Sequence, residues 1–201
     1  MIGTAILQLL EQAWFHWPEE KPASINYSDW AQGGKNQSKR LAVIASVCAM
    51  RYPGNLVEIG CFRGQTTVEL LKVAKQYSRR VIAVDSWQVG TQDCYGGEYE
   101  EFLKNVEPYK DHLEIIRSSS MLPEVIEKLK ATPICFAFID GLHTYEAVAS
   151  DIESVRHCQG VIAVDDISWN HGVRTAFFEA GWNKLQVRHP ALREGYLLPL
   201  E

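Results

Sequence analysis

Short apolar runs alternate along most of the chain with segments whose apolar residues recur at helical spacing. The apolar runs at residues 56–59, 81–84, 134–139 and 161–164 are nearly continuous, and each contains or runs directly into a carboxylate. Near-continuous apolar strands separated by helices are typical of a parallel sheet that is covered on both faces. The pattern predicts an α/β fold with a doubly wound, Rossmann-like, mostly parallel sheet of seven strands.

The predicted elements follow one another in regular order. The strands are Leu56–Ile59, Val81–Asp85, Leu113–Ile116, Ile134–Ile139, Val161–Val164, Leu185–His189 and Gly195–Leu200. The helices between them include Thr67–Leu71, Tyr99–Glu107, Pro123–Lys130, Thr144–Arg156 and Val173–Ala180. Only a short segment joins the last two strands, so we expect them to pair as a C-terminal antiparallel hairpin.

A helical extension is predicted before the first strand. Apolar residues recur at helical spacing from Ile2 to Trp14, and a second helix is predicted from about Ser38 to Met50. The polar segment Tyr27–Gly34 between them is predicted to be a loop because its paired glycines disfavour a helix. Its residues Trp30, Gln32, Gly33 and Gly34 either form a flexible connection or reach over a bound ligand.

Length and composition indicate one domain spanning residues 1–201, with residues 1–50 as the extension and residues 55–201 as the core. The chain is 46% hydrophobic and carries a formal net charge of −5, which argues against a general nucleic-acid or anionic-membrane surface. No signal peptide or membrane span is predicted. The cysteines are widely separated, which predicts free thiols and a cytoplasmic location. These are Cys48, Cys61, Cys94, Cys135 and Cys158.

The segment Leu56–Gly64 reads as a strand, a tight turn and the start of a helix. Gly60 is expected to adopt backbone angles that other residues avoid, and Gly64 to let the helix begin close to a ligand. Glu58 lies within the strand, where a buried carboxylate is costly unless a donor reaches it. A ligand that carries amine or hydroxyl groups would provide such a donor.

The second strand ends at Asp85, about twenty residues beyond the glycine turn. Nucleotide-binding folds place a carboxylate on ribose hydroxyls at this point. The alternative is that Asp85 bonds nearby backbone amides and starts a turn. Trp87 is interpreted either as a ring that stacks on a flat base or as an ordinary buried aromatic.

The motif Glu58–Gly64 together with Asp85 resembles the first two signature motifs of class I S-adenosylmethionine-dependent methyltransferases. The resemblance implies that the glycine turn faces the methionine part of the cofactor and that Asp85 holds the ribose. The dinucleotide fingerprint fits less well, because Phe62 and Gln65 stand where it needs glycines. The cofactor-binding residues implied in this way are Glu58, Gly60, Cys61, Gly64, Asp85, Ser86, Trp87, Ser118, Ser119 and Asp140.

The segments Phe138–Glu146 and Gly160–Ile167 are similar to a branch of this superfamily that includes metal-dependent O-methyltransferases of macrolide sugars. The likeness is at the level of motifs and spans roughly residues 55–180. It implies that Asp140 binds magnesium together with Asp165 or Asp166, and that the neighbouring histidine, His143, is the catalytic base. The chemistry agrees, because an alcohol must lose its proton or bind a metal before it attacks a methyl group. Carboxylate oxygens suit magnesium.

Other interpretations of these residues remain open. Asp140 begins an Asp-Gly turn and can serve only to bond backbone amides. One of Asp165 and Asp166 is expected to cap the following helix, and His143 can face solvent at a helix start. The apolar stripe of its helix skips Asp151, which is therefore expected on the solvated face.

These observations predict a methyltransferase that uses S-adenosylmethionine and magnesium to methylate a hydroxyl group of a small molecule, such as a sugar or glycoside. The expected partners are that acceptor and a second copy of the chain, without nucleic acid or membrane. Two alternatives share the nucleotide-binding residues: an NAD-dependent oxidoreductase and a binding module without catalytic activity.

Overall fold

The strands form one seven-stranded sheet in the order β3-β2-β1-β4-β5-β7-β6. The computed structural model describes residues 27–90, 94–186 and 193–198. Strands β1 to β5 pair in parallel, and β7 pairs antiparallel with both β5 and β6. This confirms the predicted mostly parallel sheet and its C-terminal hairpin. The strands are β1 Asn55–Ile59, β2 Val81–Asp85, β3 Leu113–Arg117, β4 Ile134–Ile139, β5 Val161–Val164, β6 Asn183–Gln186 and β7 Gly195–Leu198.

The helices alternate with the strands as predicted, with one correction before β1. They are α1 Tyr27–Arg51, α2 Gln65–Gln76, α3 Glu98–Val106, α4 Pro123–Lys130, α5 Tyr145–Ser154 and α6 His171–Glu179, with a short 3₁₀ helix at Glu107–His112. The predicted loop Tyr27–Gly34 lies inside α1 instead. Each helical glycine costs only about 1 kcal/mol, and extending a helix that packing has already fixed is favourable. The predicted helix Ile2–Trp14 lies outside the described residues.

Alternate residues of each strand contribute to separate hydrophobic layers on the two faces of the sheet. One layer packs Leu56, Phe136 and Phe138 against α1, α2 and α3. The other packs Val57 and Ile139 against α4, α5 and α6. Because a parallel strand points successive side chains to opposite faces, both sets must be apolar. This explains the continuous apolar runs and makes the sheet doubly wound.

The carboxyl ends of β1 and β4 meet at the point where the strand order reverses. The chain leaves β1 toward β2 and β3 on one side, and later strands add on the other side of β1. In open α/β sheets a ligand binds in the crevice at this switch point. A functional site is therefore expected among the segments that follow β1, β2, β4 and β5.

The thiols and the helices also bear on the sequence predictions. All five cysteines are free, as predicted. Burial raises the pKa of the Cys48 thiol to about 12 and that of Cys135 to about 11, so neither is a reactive thiolate at neutral pH. Across the part of the chain that the structure describes, no helix combines the length and the apolar character needed to cross a membrane.

Candidate active site

The glycine turn after β1 is shaped by close contact between two strand ends. Gly60 has φ +87°, and a Cβ placed on it would lie 2.0 Å from the carbonyl oxygen of Asp140. Phe62 adopts φ +48° at the position where the dinucleotide fingerprint has glycine. The predicted conformational role of Gly60 is thus confirmed, and its lack of a side chain lets the turn lie against the segment after β4.

Gly64 has a packing role that the sequence did not indicate, and its predicted closeness to a ligand stays a prediction. It precedes the first residue of α2 with φ +82°, and a Cβ on it would meet Cδ2 of Phe102 at 2.9 Å. Phe102 is fully buried on α3. Gly64 therefore allows α2 and α3 to pack closely, and what a Cβ would fill there is protein interior rather than ligand space.

Asp85 ties the glycine turn to the end of β2. Its Oδ2 accepts hydrogen bonds from the backbone N–H groups of Cys61 at 2.8 Å and Phe62 at 2.9 Å, and its Oδ1 accepts one from Trp87 at 2.8 Å. The alternative of a turn residue that bonds nearby backbone is therefore realised. Each carboxylate oxygen has further lone-pair capacity, and the ribose role stays a prediction.

Trp87 belongs to the core, so the second of its two predicted interpretations, an ordinary buried aromatic, fits the structure, and stacking on a base does not. The side chain is 5% exposed, and its ring lies 4.8 Å from that of Tyr99 and 4.7 Å from that of Phe102. Its indole N–H donates to the carbonyl oxygen of Phe62 at 2.6 Å. Neighbouring rings thus pack against the indole, and its hydrogen bond to Phe62 stabilises the glycine turn.

The remaining predicted cofactor residues on this side are polar and more accessible. Ser86, Ser118 and Ser119 follow β2 and β3, and the Ser118 N–H donates to the carbonyl oxygen of Asp85 at 2.9 Å. The hydroxyl of Ser119 accepts a hydrogen bond from the Met121 N–H at 3.3 Å. The ends of β2 and β3 therefore lie side by side, as the adenine and ribose assignments require.

Glu58 is a buried acid beneath the turn. It is 1% exposed, and its Oε2 has no hydrogen-bond partner among the described residues. Burial raises the pKa of this carboxyl well above its ordinary range; the Thr67 hydroxyl acts against this, and the charges of Asp140 and Asp85 add to it. Cys61, also predicted to contact the cofactor, is a buried thiol whose pKa burial raises well above its ordinary value.

Two acids and a histidine converge on the other side of the switch point. The Nε2 atom of His143 lies 3.5 Å from Oδ1 of Asp140 and 3.3 Å from Oδ2 of Asp166. One ligand atom from each of these residues lies within 4.8 Å of the others. Trp169 is 63% exposed, and its ring meets that of His143 edge-on at 5.7 Å.

The side chains of Asp165 and Asp166 point in different directions. The Oδ1 atom of Asp165 accepts a hydrogen bond from Nε2 of Gln37 on α1 at 2.7 Å, whereas Asp166 faces His143. Burial raises the pKa of Asp165 well above its ordinary range, and the charges of Asp140, Asp166 and Glu194 add to this. Of the two acids that the sequence left as alternatives, Asp166 lies in the cluster with Asp140.

The structure also adds residues that sequence reasoning missed. Glu194, 2% exposed, accepts hydrogen bonds from Nε of Arg40 at 2.9 Å and from the Tyr196 hydroxyl at 3.1 Å. Arg193 approaches Asp166, with 3.5 Å between Nη1 and Oδ1. These residues follow no motif and come from distant parts of the chain, so their spacing gave no signal.

Two expectations about nearby side chains were wrong. Asn170 caps α6, because its side-chain oxygen accepts from the N–H groups of Gly172 and Val173; neither Asp165 nor Asp166 does so. Asp151 is fully buried rather than solvated, and a Cβ on Gly141 would lie 3.5 Å from its Oδ2. The side chain points beneath the loop after β4, where helical periodicity could not place it.

Comparison with known proteins identifies the family. A family model described as a methyltransferase domain matches residues 57–167, more than half of the chain. The chain belongs to this methyltransferase family. The match covers the glycine turn, Asp85 and the acid cluster, so it confirms the resemblance drawn from those motifs. It also favours a methyltransferase over the nicotinamide-dependent alternative. No curated protein matches the chain significantly.

Solved structures of O-methyltransferases share the fold. CalS11, described as a TDP-rhamnose 3'-O-methyltransferase in calicheamicin biosynthesis, is 16% identical with a TM-score of 0.60; the match covers 97% of this chain and 93% of CalS11. The O-methyltransferase NovP is 16% identical with a TM-score of 0.62, over 84% and 80% of the two chains. TomG from Streptomyces achromogenes, solved in complex with SAM, is 15% identical with a TM-score of 0.57, over 98% and 88%.

Proposed function

We propose that this methyltransferase transfers the methyl group of S-adenosylmethionine to a hydroxyl oxygen of a small molecule. The observation that carries the proposal is the convergence of Asp140, His143 and Asp166 beside the glycine turn. A direct displacement needs the acceptor oxygen held in line with the methyl group and relieved of its proton. Here the imidazole of His143 and the two carboxylates follow β4 and β5, and β4 pairs with β1, the strand that leads into the glycine turn.

The cofactor half offers groups that match a nucleoside with an amino-acid tail. Asp85, Ser86, Ser118 and Ser119 present hydroxyl and carboxylate groups at the ends of β2 and β3, toward which the ribose and adenine would lie. The buried Oε2 of Glu58 is an unsatisfied acceptor beneath the turn that the cofactor's ammonium group would approach. The solved complex of the similar protein TomG with SAM agrees with this choice of cofactor.

The acid cluster fits a divalent cation by its chemistry. Asp140 and Asp166 supply hard oxygen donors, which suit magnesium or manganese completed by water and acceptor oxygens, and the imidazole of His143 beside them would keep its lone pair for the acceptor proton. Acids exceed bases among the described residues of this region, since Asp140, Asp165, Asp166 and Glu194 lie near two arginines of the described segments, Arg40 and Arg193. A bound cation would balance this charge and lower the proton affinity of an acceptor hydroxyl.

His143 is the proton acceptor in this proposal. Its Nε2 atom lies 3.5 Å from Oδ1 of Asp140 and 3.3 Å from Oδ2 of Asp166, at the edge of the site from which it would take the proton of the acceptor hydroxyl. Trp169, exposed and edge-on to this ring, would then cover one side of a sugar or an aromatic acceptor. CalS11, described as a TDP-rhamnose 3'-O-methyltransferase, acts on a sugar, which supports a sugar as the acceptor here.

Binding experiments test the cofactor and the cation separately. Calorimetry should show micromolar binding of S-adenosylhomocysteine; no binding at high micromolar concentration would refute the cofactor assignment. Terbium should bind the cluster and emit when Trp169 is excited, because the indole adjoins His143. Asp140→Asn should weaken terbium binding, whereas the control Asp111→Asn, at an exposed acid before β3, should not. Equal terbium affinity in both variants would refute the metal site.

The acceptor is tested by activity. Purified enzyme with labelled S-adenosylmethionine and magnesium should methylate a hydroxyl within a panel of sugar nucleotides, glycosides and phenols. His143→Gln should lower kcat by roughly 10²–10⁴-fold at neutral pH, the usual contribution of general base catalysis. A product methylated on nitrogen or carbon, or an unchanged kcat in His143→Gln, would refute the proposed reaction.

A further inference from the structure

One turn of helix α1 contacts two buried acids, Asp165 and Glu194, that lie beside the cluster of Asp140, His143 and Asp166. Gln37 donates from Nε2 to Oδ1 of Asp165 at 2.7 Å. Arg40, three residues later, pairs with Glu194 through Nη2 at 2.8 Å and Nε at 2.9 Å. The Arg40 side chain is 11% exposed and that of Glu194 is 1% exposed, so this ion pair is buried. Residues spaced three apart share a helix face, and this face is fixed to the segments around β5 and β7.

The same turn contacts the cofactor half. Ser38, beside Gln37, shares a hydrogen bond of 2.8 Å between its hydroxyl and that of Thr66. Thr66 lies in the first turn of α2, two residues beyond Gly64. The turn is anchored by the buried side chains of Leu41 and Ile44, which follow it on α1. These four residues thus contact segments on both sides of the switch point.

We infer that the turn Gln37–Arg40 is a polar bridge that couples cofactor binding to cation binding, with Gln37 and Ser38 as positioning residues. The inference rests on the proposed function, since it needs both ligands. A cofactor bound at the glycine turn would fix the start of α2, the contact between Ser38 and Thr66 would then hold α1, and Gln37 would hold Asp165 beside the cation ligand Asp166. Groups that hydrogen-bond metal ligands affect metal affinity strongly, and Gln37 acts one step further out, on the residue adjacent to the ligand Asp166. Coupling of this kind must be reciprocal.

Calorimetry measures the coupling directly. In the wild type, magnesium should lower the dissociation constant of S-adenosylhomocysteine by about fivefold or more. Gln37→Met keeps the length of the side chain but removes its amide, so the effect of magnesium should shrink below about twofold, while affinity without magnesium stays the same. Terbium should bind this variant measurably more weakly, because Asp165 adjoins the ligand Asp166. Lys39→Met, an exposed position in the same turn, is the matched control and should behave as wild type.

A second variant tests the cofactor side of the bridge. Ser38→Ala removes the contact with Thr66 and should also reduce the coupling, with terbium affinity in the absence of S-adenosylhomocysteine unchanged. Thermal melting establishes that each variant is folded, and amide exchange should show slower exchange in residues 37–51 only when both ligands are present.

The outcomes separate the two levels of inference. If the wild type binds both ligands but its coupling is unaltered in Gln37→Met, the bridge is refuted and the proposed function stands. A wild type that binds both ligands without coupling refutes the bridge as well. If the wild type binds neither ligand, the proposed function itself fails.

Discussion

The contact between Gly60 and Asp140 predicts a large and specific cost for one added methyl group. In Gly60→Ala the new Cβ would lie 2.0 Å from the carbonyl oxygen and 2.4 Å from the carbonyl carbon of Asp140. Both atoms belong to the backbone, which has no rotamer by which to move away. Ordinary van der Waals contact begins near 3.4 Å, so the ends of β1 and β4 would have to separate by more than an ångström.

The magnitude has two parts, and the chain offers a control for one of them. Left-handed backbone costs a non-glycine residue about 1–2 kcal/mol. Gly90 has the same φ of +87°, and a Cβ on it would meet no atom of the described residues within 4 Å. Gly90→Ala should therefore lose only this conformational part. Gly60→Ala should lose in addition the cost of forcing apart a packed interior, making a total of about 4 kcal/mol or more.

Urea denaturation of both variants measures the difference. We expect Gly90→Ala to shift the midpoint modestly and Gly60→Ala to unfold at much lower urea or to be unfolded without it. Because separation of the two strand ends would also move Asp140, a folded Gly60→Ala protein should bind terbium more weakly than wild type. Equal destabilisation of the two variants would refute the steric argument and would mean that the turn can move freely from β4.

Three further changes test separate parts of the structure. Trp87→Phe should cost about 1–2 kcal/mol in urea denaturation through the lost indole hydrogen bond, yet leave the dissociation constant of S-adenosylhomocysteine unchanged; a large loss of affinity would restore the stacking role. Asp85→Ala should both destabilise the protein and weaken calorimetric binding of S-adenosylhomocysteine, since the amides of Cys61 and Phe62 lose their acceptor; unchanged binding would exclude the ribose role. Burial raises the pKa of Asp151 from 3.8 to about 7. The folded state then binds the proton more tightly than the unfolded state, so wild type loses stability as pH rises from about 4 to 7, by a few kcal/mol. Asp151→Asn removes that loss, and its stability relative to wild type, measured by urea denaturation at several pH values, should improve across this window; a constant difference would contradict the burial.

The sequence was most informative where local chemistry and periodicity agree. Continuous apolar runs such as Ile134–Ile139 require burial on both faces, and this fixes a parallel sheet between two helical layers. Acids at the carboxyl ends of parallel strands must share one edge, so Asp85, Asp140 and Asp166 could be placed together before their distances were known. The family match bears out the motif-level resemblance.

Prediction was least accurate where a side chain's environment comes from distant elements. Trp87 and Asp151 are both buried, although one was assigned to a ligand and the other to solvent. Local sequence could not reveal that α3 covers the indole or that the loop after β4 covers the carboxylate. For the same reason the packing of Phe102 against Gly64 could not be foreseen.

The sequence by itself determined the order of strands and helices, the glycine turn and the edge at which the acids gather, because these depend on the backbone and on apolar periodicity. Only the tertiary structure decided how the acids divide. Asp165 and Asp166 are adjacent in sequence, yet one contacts Gln37 of α1 and the other faces His143. Adjacent residues after a strand can point in different directions, and Asp166 has φ +56°. That division depends on where α1 packs, which no local pattern encodes.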